Sequence, residues 1–463
     1  MDKVEGRGNV LLMDCEGKEE ARAKRMNRGG SVRALRRVCA LMSLSFICAF
    51  ILFAAIPVSA HSTIHKAESN HQFTLEIYGN ANEDDTIDMR DVTYIKLVIF
   101  GKKPETEFCD ANYDGRVSML DVVQTKLIIV GKEAKLTLLD DYITENYPDG
   151  KPVTINKPVE RMIVLSTYAT EAVRTLKSMD KIVGVPTYTV TQHALFFPEL
   201  VGLPTIGSGF KPDIEKVIEL EPDIVLAYAE SPKPEEFDDK LPESIKVVHL
   251  DFSRADLMIE DFAKLGYILD KEDDAKEIID FYEEFNSKIN ERTAGLSDDE
   301  KPKVYLESIW ELDSKYKAIG KGTGPDAACA MAGGINIADF DGYKTVDPEW
   351  VIKQNPDIII AVVFTGVGCG YEHDDPSALE AVRESIMNRP ELAEVPAVKE
   401  GKVYCIAIQV TSKPRYFVGV AYMAKWFHPE LFEDLDPRAL NEEYLNKYQG
   451  MPYRGVYAYP EPS

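Results

Sequence analysis

The sequence predicts an α/β protein: two lobes joined by one long helix and preceded by a small all-α unit. Three features carry that prediction. Two segments 30 residues apart, starting at Asn80 and Asp110, repeat one pattern of oxygen-bearing side chains. Two further segments, Glu221-Pro222-Asp223-Ile224 and Asn355-Pro356-Asp357-Ile358, each lead into an apolar run of strand length. Between them, Asp273 to Gly295 keeps apolar residues at Ala275, Ile278, Ile279, Tyr282, Phe285 and Ile289, the spacing of one helix face.

Residues 1–60 read as an export segment. Arg33, Arg36 and Arg37 precede an apolar run from Val38 to Ile56, and small residues follow before His61. That order marks a signal peptide, or a membrane anchor if it stays uncleaved. The expected location is therefore extracellular or at the cell surface. The whole chain carries −25, and its first 60 residues are net basic, so the exported part is more acidic still. Such a surface repels phosphate backbones, and no nucleic-acid partner is expected. Four of the seven cysteines, Cys109, Cys329, Cys369 and Cys405, lie beyond this segment with no zinc spacing, and their pairing is left open.

The repeated loops span 70–134. Oxygen-bearing side chains occupy loop positions 1, 3, 5, 9 and 12: Asn80, Asn82, Asp84, Asp88 and Asp91, then Asp110, Asn112, Asp114, Ser118 and Asp121. Ile87 and Val117 supply the β-branched residue at position 8. This spacing surrounds Ca2+ with about six or seven hard oxygen ligands, so two Ca2+ sites are expected. Position 6 is Gly115 in the second loop but Asp85 in the first, where a left-handed turn is wanted; the first site is expected to be the weaker. Each loop leads into an apolar helical run closed by Gly-Lys, and two short helices packed together explain the duplication. The unit resembles a dockerin. That resemblance implies a cohesin-domain partner, met by Met89, Arg90, Met119 and Leu120 at loop positions 10 and 11.

From Lys135 the texture changes. Thr137–Asp141 and Val153–Ile155 flank Asp149-Gly150 as a hairpin, and Met162–Ser166 reads as a buried strand followed by a helix. Strands alternating with helices imply a parallel sheet with right-handed crossovers. The two Pro-Asp segments, each with an acidic helix cap upstream (Asp213, Asp347), give lobes over 135–268 and 297–463. Residues 269–296 form the joining segment, and its helical stretch from Asp273 to Gly295 spans about 34 Å at ~1.5 Å per residue, which predicts little hinge closure.

These features resemble the helix-linked substrate-binding proteins of ABC importers, with two Rossmann-like lobes that capture iron chelates or cobalamin. The resemblance covers about 135–463 and rests on Val159-Glu160-Arg161-Met162, the paired Pro-Asp-Ile strands, and Val395–Tyr404. It implies a siderophore or corrinoid ligand and a permease partner. Ligands in such folds bind beyond the carboxyl ends of strands. The candidates there are Tyr168, Tyr188, His193 and Phe196 in lobe one and Trp310, Phe364, Arg415 and Tyr416 in lobe two. Aromatic rings would clasp a bulky ligand; Arg415 or Lys413 would neutralise an acidic chelate. Glu230 or Glu235 and Glu372 or Asp374 are the candidate permease contacts.

His249 reads as a core histidine, and no His–carboxylate cluster suited to bare Zn2+ emerges. Two other functions stay open: a metal-chelate enzyme of nitrogenase-like or chelatase-like kind, and a purely structural calcium-dependent assembly protein. Against the enzyme, the chain offers no phosphate-binding glycine loop and no nucleophile–base pair.

Overall fold

The computed structural model describes residues 73–144 and 147–462. The export segment, with its expected cleavage site, lies outside the described residues.

Helices α1 (Met89–Ile99) and α2 (Met119–Ile129) follow the two loops. Asp88 and Ser118 cap them, each in a reciprocal box with the Asp three residues on, Asp91 or Asp121. Val92 and Ile95 pack on Val122, Ala81 and Cys109, so the pair shares a small core. This unit is not free-standing. Ile77 bridges Leu138 in β1 (Lys135–Leu139), which pairs antiparallel with β2 (Pro152–Asn156) as expected. Leu75, Ile77 and Ile87 join the main core of the molecule. The boundary drawn at 134/135 is therefore crossed by backbone pairing and apolar packing.

Lobe one holds β3 (Met162–Val164), α3 (Thr167–Thr175), β4 (Ile182–Gly184), α4 (Thr187–Gln192), α5 (Ile214–Glu219), β5 (Ile224–Ala227), β6 (Lys246–His249) and α6 (Met258–Leu269). Its four strands are parallel in the order β4-β3-β5-β6. Helix α7 (Glu272–Thr293) is unbroken and crosses to lobe two, burying Ala275, Ile278, Tyr282, Phe285 and Ile289. Those are five of the six apolar positions that spaced it as a helix; Ile279 is partly exposed.

Lobe two contains β7 (Lys303–Ile309), β8 (Lys317–Ile319), α8 (Gly324–Met331), β9 (Ile335–Asn336), β10 (Tyr343–Thr345), α9 (Pro348–Gln354), β11 (Ile358–Val363), α10 (Ser377–Met387), α11 (Pro396–Lys399), β12 (Val403–Ala407), α12 (Tyr416–Phe427), α13 (Pro437–Tyr448) and β13 (Ala458–Tyr459). Its sheet runs β10-β8-β7-β11-β12-β13, with β9 also on β7. The core strands β7, β11 and β12 are parallel, as is β9 on β7, while β8, β10 and β13 pair antiparallel.

The paired Pro-Asp-Ile segments do the same work in both lobes. Asp223 accepts the backbone N–H groups of Glu160 and Arg161 (2.8 Å each), and Asp357 that of Lys303 (2.8 Å), so each carboxylate ties the start of one strand to its neighbour. The helix caps differ. Asp213 accepts from the N–H groups of Glu215 and Lys216, whereas the Asp347 side chain makes no cap bond and α9 begins on Pro348.

Candidate functional site

Between the lobes lies a cleft of about 1550 Å³, at the carboxyl ends of the parallel strands and along α7. Local sequence explains its aromatic walls. The loop between α4 and α5 carries Gly209, where a Cβ would stand 2.2 Å from the Leu165 carbonyl; glycine alone lets that loop lie against the end of β3. It delivers Phe210 onto Tyr228, which follows β5, with ring centroids 4.7 Å apart and planes 10° apart. Opposite, Trp310 after β7 stacks on Phe364 after β11 at 3.7 Å and 16°. Trp310 and Phe210 are each half exposed, so their outer faces meet solvent. Tyr168 stands edge-on to Tyr228 at 6.1 Å.

Three of the eight candidate ligand residues, Tyr168, Trp310 and Phe364, line this cleft. The other five sit behind it. Tyr188 supports the wall by hydrogen bonding its hydroxyl to that of Tyr228 (2.8 Å). His193 faces Tyr188 edge-on, and burial, with Lys413 and Arg415 nearby, lowers its pKa to about 4, so it is neutral. Phe196 is a correction: it is buried between the Arg174 and Arg415 guanidiniums and packs on Tyr371 across the lobe boundary.

Arg415 is a second correction. Its Nε lies 2.9 Å from the Glu171 carboxylate in α3, both side chains almost fully buried, so the guanidinium ties lobe two to lobe one and never reaches the cleft. The Tyr416 hydroxyl donates to Asn286 of α7 at 3.0 Å, a packing role. Lys413 has a left-handed backbone (φ +73°) and holds its amine 4.3 Å from the centre of the Tyr168 ring. Burial pulls its pKa down to about 7, with Arg415 pushing the same way and Glu171 opposing.

The four acids expected at the permease surface divide. Glu235 and Asp374 are exposed, and Asp374 pairs with Arg454 at 2.6 Å. Glu230 lines the cleft instead, and Glu372 is half-buried, accepting the Phe196 N–H (3.2 Å) between lobes. Phe210, Tyr228 and Asp251 are cleft residues the candidate set omitted. The glycine pair at 207 and 209 was the signal for Phe210; for Tyr228 and Asp251 it was their place directly after β5 and β6.

His249 behaves as a core residue: buried, with Nδ1 2.6 Å from the Tyr228 carbonyl oxygen and Nε2 3.4 Å from Asp238. The four described cysteines are buried free thiols.

In the first loop, Asp91 accepts the N–H groups of Asn82 (3.0 Å) and Asp88 (2.8 Å), and Asp84 accepts from the Asn82 amide (2.8 Å). In the second, Asp121 accepts those of Asn112 (3.1 Å) and Ser118 (2.7 Å), and Asp110 that of Gly115 (2.7 Å). Gly115 takes φ +87°, but Asp85 stays out of the left-handed region; the residues at position 4, Glu83 and Tyr113, take it in both loops.

The family described as periplasmic binding protein matches residues 162–408, more than half of the chain. This chain belongs to the periplasmic binding protein family. Among relatives, the uncharacterized ABC transporter substrate-binding lipoprotein YvrC of Bacillus subtilis is 25% identical over 63% of this chain and 87% of its own. The cobalamin-binding protein of Halobacterium salinarum is 25% identical over 62% and 74%. The solved TroA-like periplasmic binding protein FepB of Veillonella parvula superposes with a TM-score of 0.57 at 22% identity, covering 70% of this chain and 98% of that one. The two-lobed α/β fold of this periplasmic binding protein is thus the TroA-like one.

Proposed function

We propose that this periplasmic binding protein captures a bulky metal chelate, an iron–siderophore or a corrinoid, outside the membrane and hands it to an ABC permease. The observation that carries this reading is a cleft of about 1550 Å³ walled by two stacked aromatic pairs. A bare ion or a small oxyanion would leave most of that space to water, whereas a chelate of near-nanometre size fills it and buries ring faces. The relatives named for ABC transport and for cobalamin point the same way. Capture followed by release requires no catalytic group. Glu235 and Asp374, exposed on opposite lobes, are the acids suited to meet basic permease residues. Titrating the protein with a ferric trihydroxamate and with cyanocobalamin, read by Trp310 fluorescence and by heat, tests this. Neither quenching nor heat with either class rejects it.

The amino-terminal loops fit Ca2+ by their donor set. Asn80 at position 1 is fully buried, and its Oδ1 has no hydrogen-bond partner among the described residues. A buried acceptor left over at the first ligand position is what a cation would satisfy. With Ca2+ bound, the unit would serve as a dockerin-like attachment to a cohesin-domain partner. Met119 and Leu120 are exposed apolar residues on the second repeat. On the first, Met89 is exposed while Arg90 is held by Asp84 and Asp88. Calorimetry of metal-stripped protein should find two Ca2+ per chain, and fewer than one would remove the reading.

A further inference from the structure

Resting on the chelate-capture reading, we infer that the cleft selects neutral or cationic ligands and rejects polyanionic ones. The sequence places this protein's candidate ligand cations at Lys413 and Arg415, and the structure withdraws both. Arg415 is spent on Glu171, and Lys413 lies beneath Tyr168 without forming part of the cleft wall. Carboxylates take the wall instead. Lobe one contributes Glu230, Asp251, Asp256 and Glu260; Glu283 comes from α7, and Asp326 and Asp341 from lobe two. Against these seven acids the wall has two cations, each beside an acid: Arg254 lies 2.5 Å from Asp256, and Lys321 pairs with Asp339.

Besides Lys413 beneath Tyr168, Lys264 and Lys317 stand behind the wall. Lys264 holds Glu260 at 2.9 Å, but it is shared with Glu76 and Asp141. Lys317 sits 5.9 Å from the Trp310 and Tyr343 ring centres. Setting Glu260 aside with Lys264, six wall acids remain (Glu230, Asp251, Asp256, Glu283, Asp326 and Asp341) against Arg254, Lys321, Lys317 and Lys413. Some of the acids also have neutral partners: Asp326 accepts from Asn336 (2.8 Å), and Asp251 from the Ser253 N–H (3.0 Å).

The aromatic faces add to the same preference. The ring faces of Phe210, Tyr228, Trp310 and Phe364 are electron-rich and attract positive charge. A ligand with a delocalised or pendant positive charge, or an uncharged amide-rich periphery, meets no like charge here. A tris-catecholate or a ligand bearing several free carboxylates would be repelled by these acidic walls.

A charge series on one core tests this. The probes are a ferric trihydroxamate with a pendant ammonium, its N-acetyl derivative and its N-succinyl derivative. Alongside them run aquacobalamin, cyanocobalamin and a cobalamin monocarboxylate. Affinity should fall about three- to tenfold per added negative charge at low salt, and the differences should shrink as ionic strength rises. Glu230→Gln and Asp341→Asn should narrow the series, and Lys413→Met should leave it unchanged. The inference fails if the anionic member binds as tightly as the cationic one, or if Lys413→Met abolishes binding of the anion alone. Absence of binding by all six probes would overturn the capture reading and this inference with it, an outcome distinct from binding without charge preference.

Discussion

Two seams hold this molecule together, and they are built differently. The seam between the amino-terminal two-helix unit and lobe one is largely backbone. The Leu139 N–H donates to the Glu76 carbonyl and the Tyr78 N–H to the Thr137 carbonyl, at 2.9 Å each, and Ile77 enters the lobe-one core. Lys264, fully buried, fastens it with Glu76 at 3.0 Å, Glu260 at 2.9 Å and Asp141 at 3.4 Å. The seam between the lobes is mostly side chains: Arg415 on Glu171, Gln449 donating to Thr175 (2.8 Å), Glu372 on the Phe196 N–H, and the Tyr282 hydroxyl donating to the Pro414 carbonyl (2.7 Å). Backbone pairing has one register, while side chains have alternative rotamers. A guest can therefore adjust the second seam far more readily than the first.

The largest effect should come from Lys264→Ala. It removes the shared cation and leaves the largely buried Glu76, Glu260 and Asp141 carboxylates facing one another. Losing one side of a buried pair costs up to about 5 kcal/mol. Guanidinium denaturation should show that loss, and proteolysis should clip the amino-terminal unit first. The loss should be greater at pH 8 than at pH 5.5, where the stranded carboxyls can take up protons. Arg415→Ala comes next, on the order of 3 kcal/mol, because Glu171 is left buried without its partner. Its distinguishing sign is faster hydrogen exchange around 193–197 and 370–373 with unchanged exchange in α1 and α2. If both substitutions loosen the same segments, the two seams are not independent.

Much of this architecture is legible in the sequence because it depends on local pattern. The helical period from Asp273 finds α7, and the Pro-Asp-Ile repeat finds β5 and β11 because each Asp caps an adjacent strand. Loop spacing likewise finds α1 and α2. What local pattern cannot supply is the partner of a long side chain. Arg415 and Glu171 lie far apart in sequence, and the turn that starts α12 points the guanidinium at α3 rather than into the cleft. Nothing near residue 415 announces that. For the same reason the acids of the wall, drawn from both lobes and from α7, are invisible as a set until the chain is folded.

A milder probe of the first seam is pH. Burial, together with Glu76 and Asp141, raises the Glu260 carboxyl to about 7 even though Lys264 opposes it. The folded state then holds this proton more tightly than the unfolded state, whose carboxyl titrates near the ordinary value of about 4.3. Stability from this group is full below that value and declines as pH rises toward 7, by at most about 1.4 kcal/mol per pH unit. Urea midpoints measured from pH 5 to 8 should fall accordingly, and Glu260→Gln should flatten the profile. An unchanged slope in that variant assigns the titration to another group, with His249 next in line because its raised pKa gives the same sign.

The smallest expected effect discriminates most finely between the two loops. The Tyr267 hydroxyl of α6 accepts the Ile87 N–H at 3.0 Å, fixing position 8 of the first loop to lobe one. The matching residue of the second loop, Val117, makes no such bond among the described residues, and that loop is exposed over much of its length. Tyr267→Phe removes one acceptor and should cost about 1 kcal/mol. The first loop would lose its external brace and the second would not. In a two-site Ca2+ titration the weaker step should move roughly fivefold, as about 1 kcal/mol implies, and the tighter step should stay where it is. Equal shifts in both steps would mean that the loops communicate through the α1–α2 core rather than through lobe one, and the first seam would then begin inside the repeated unit itself.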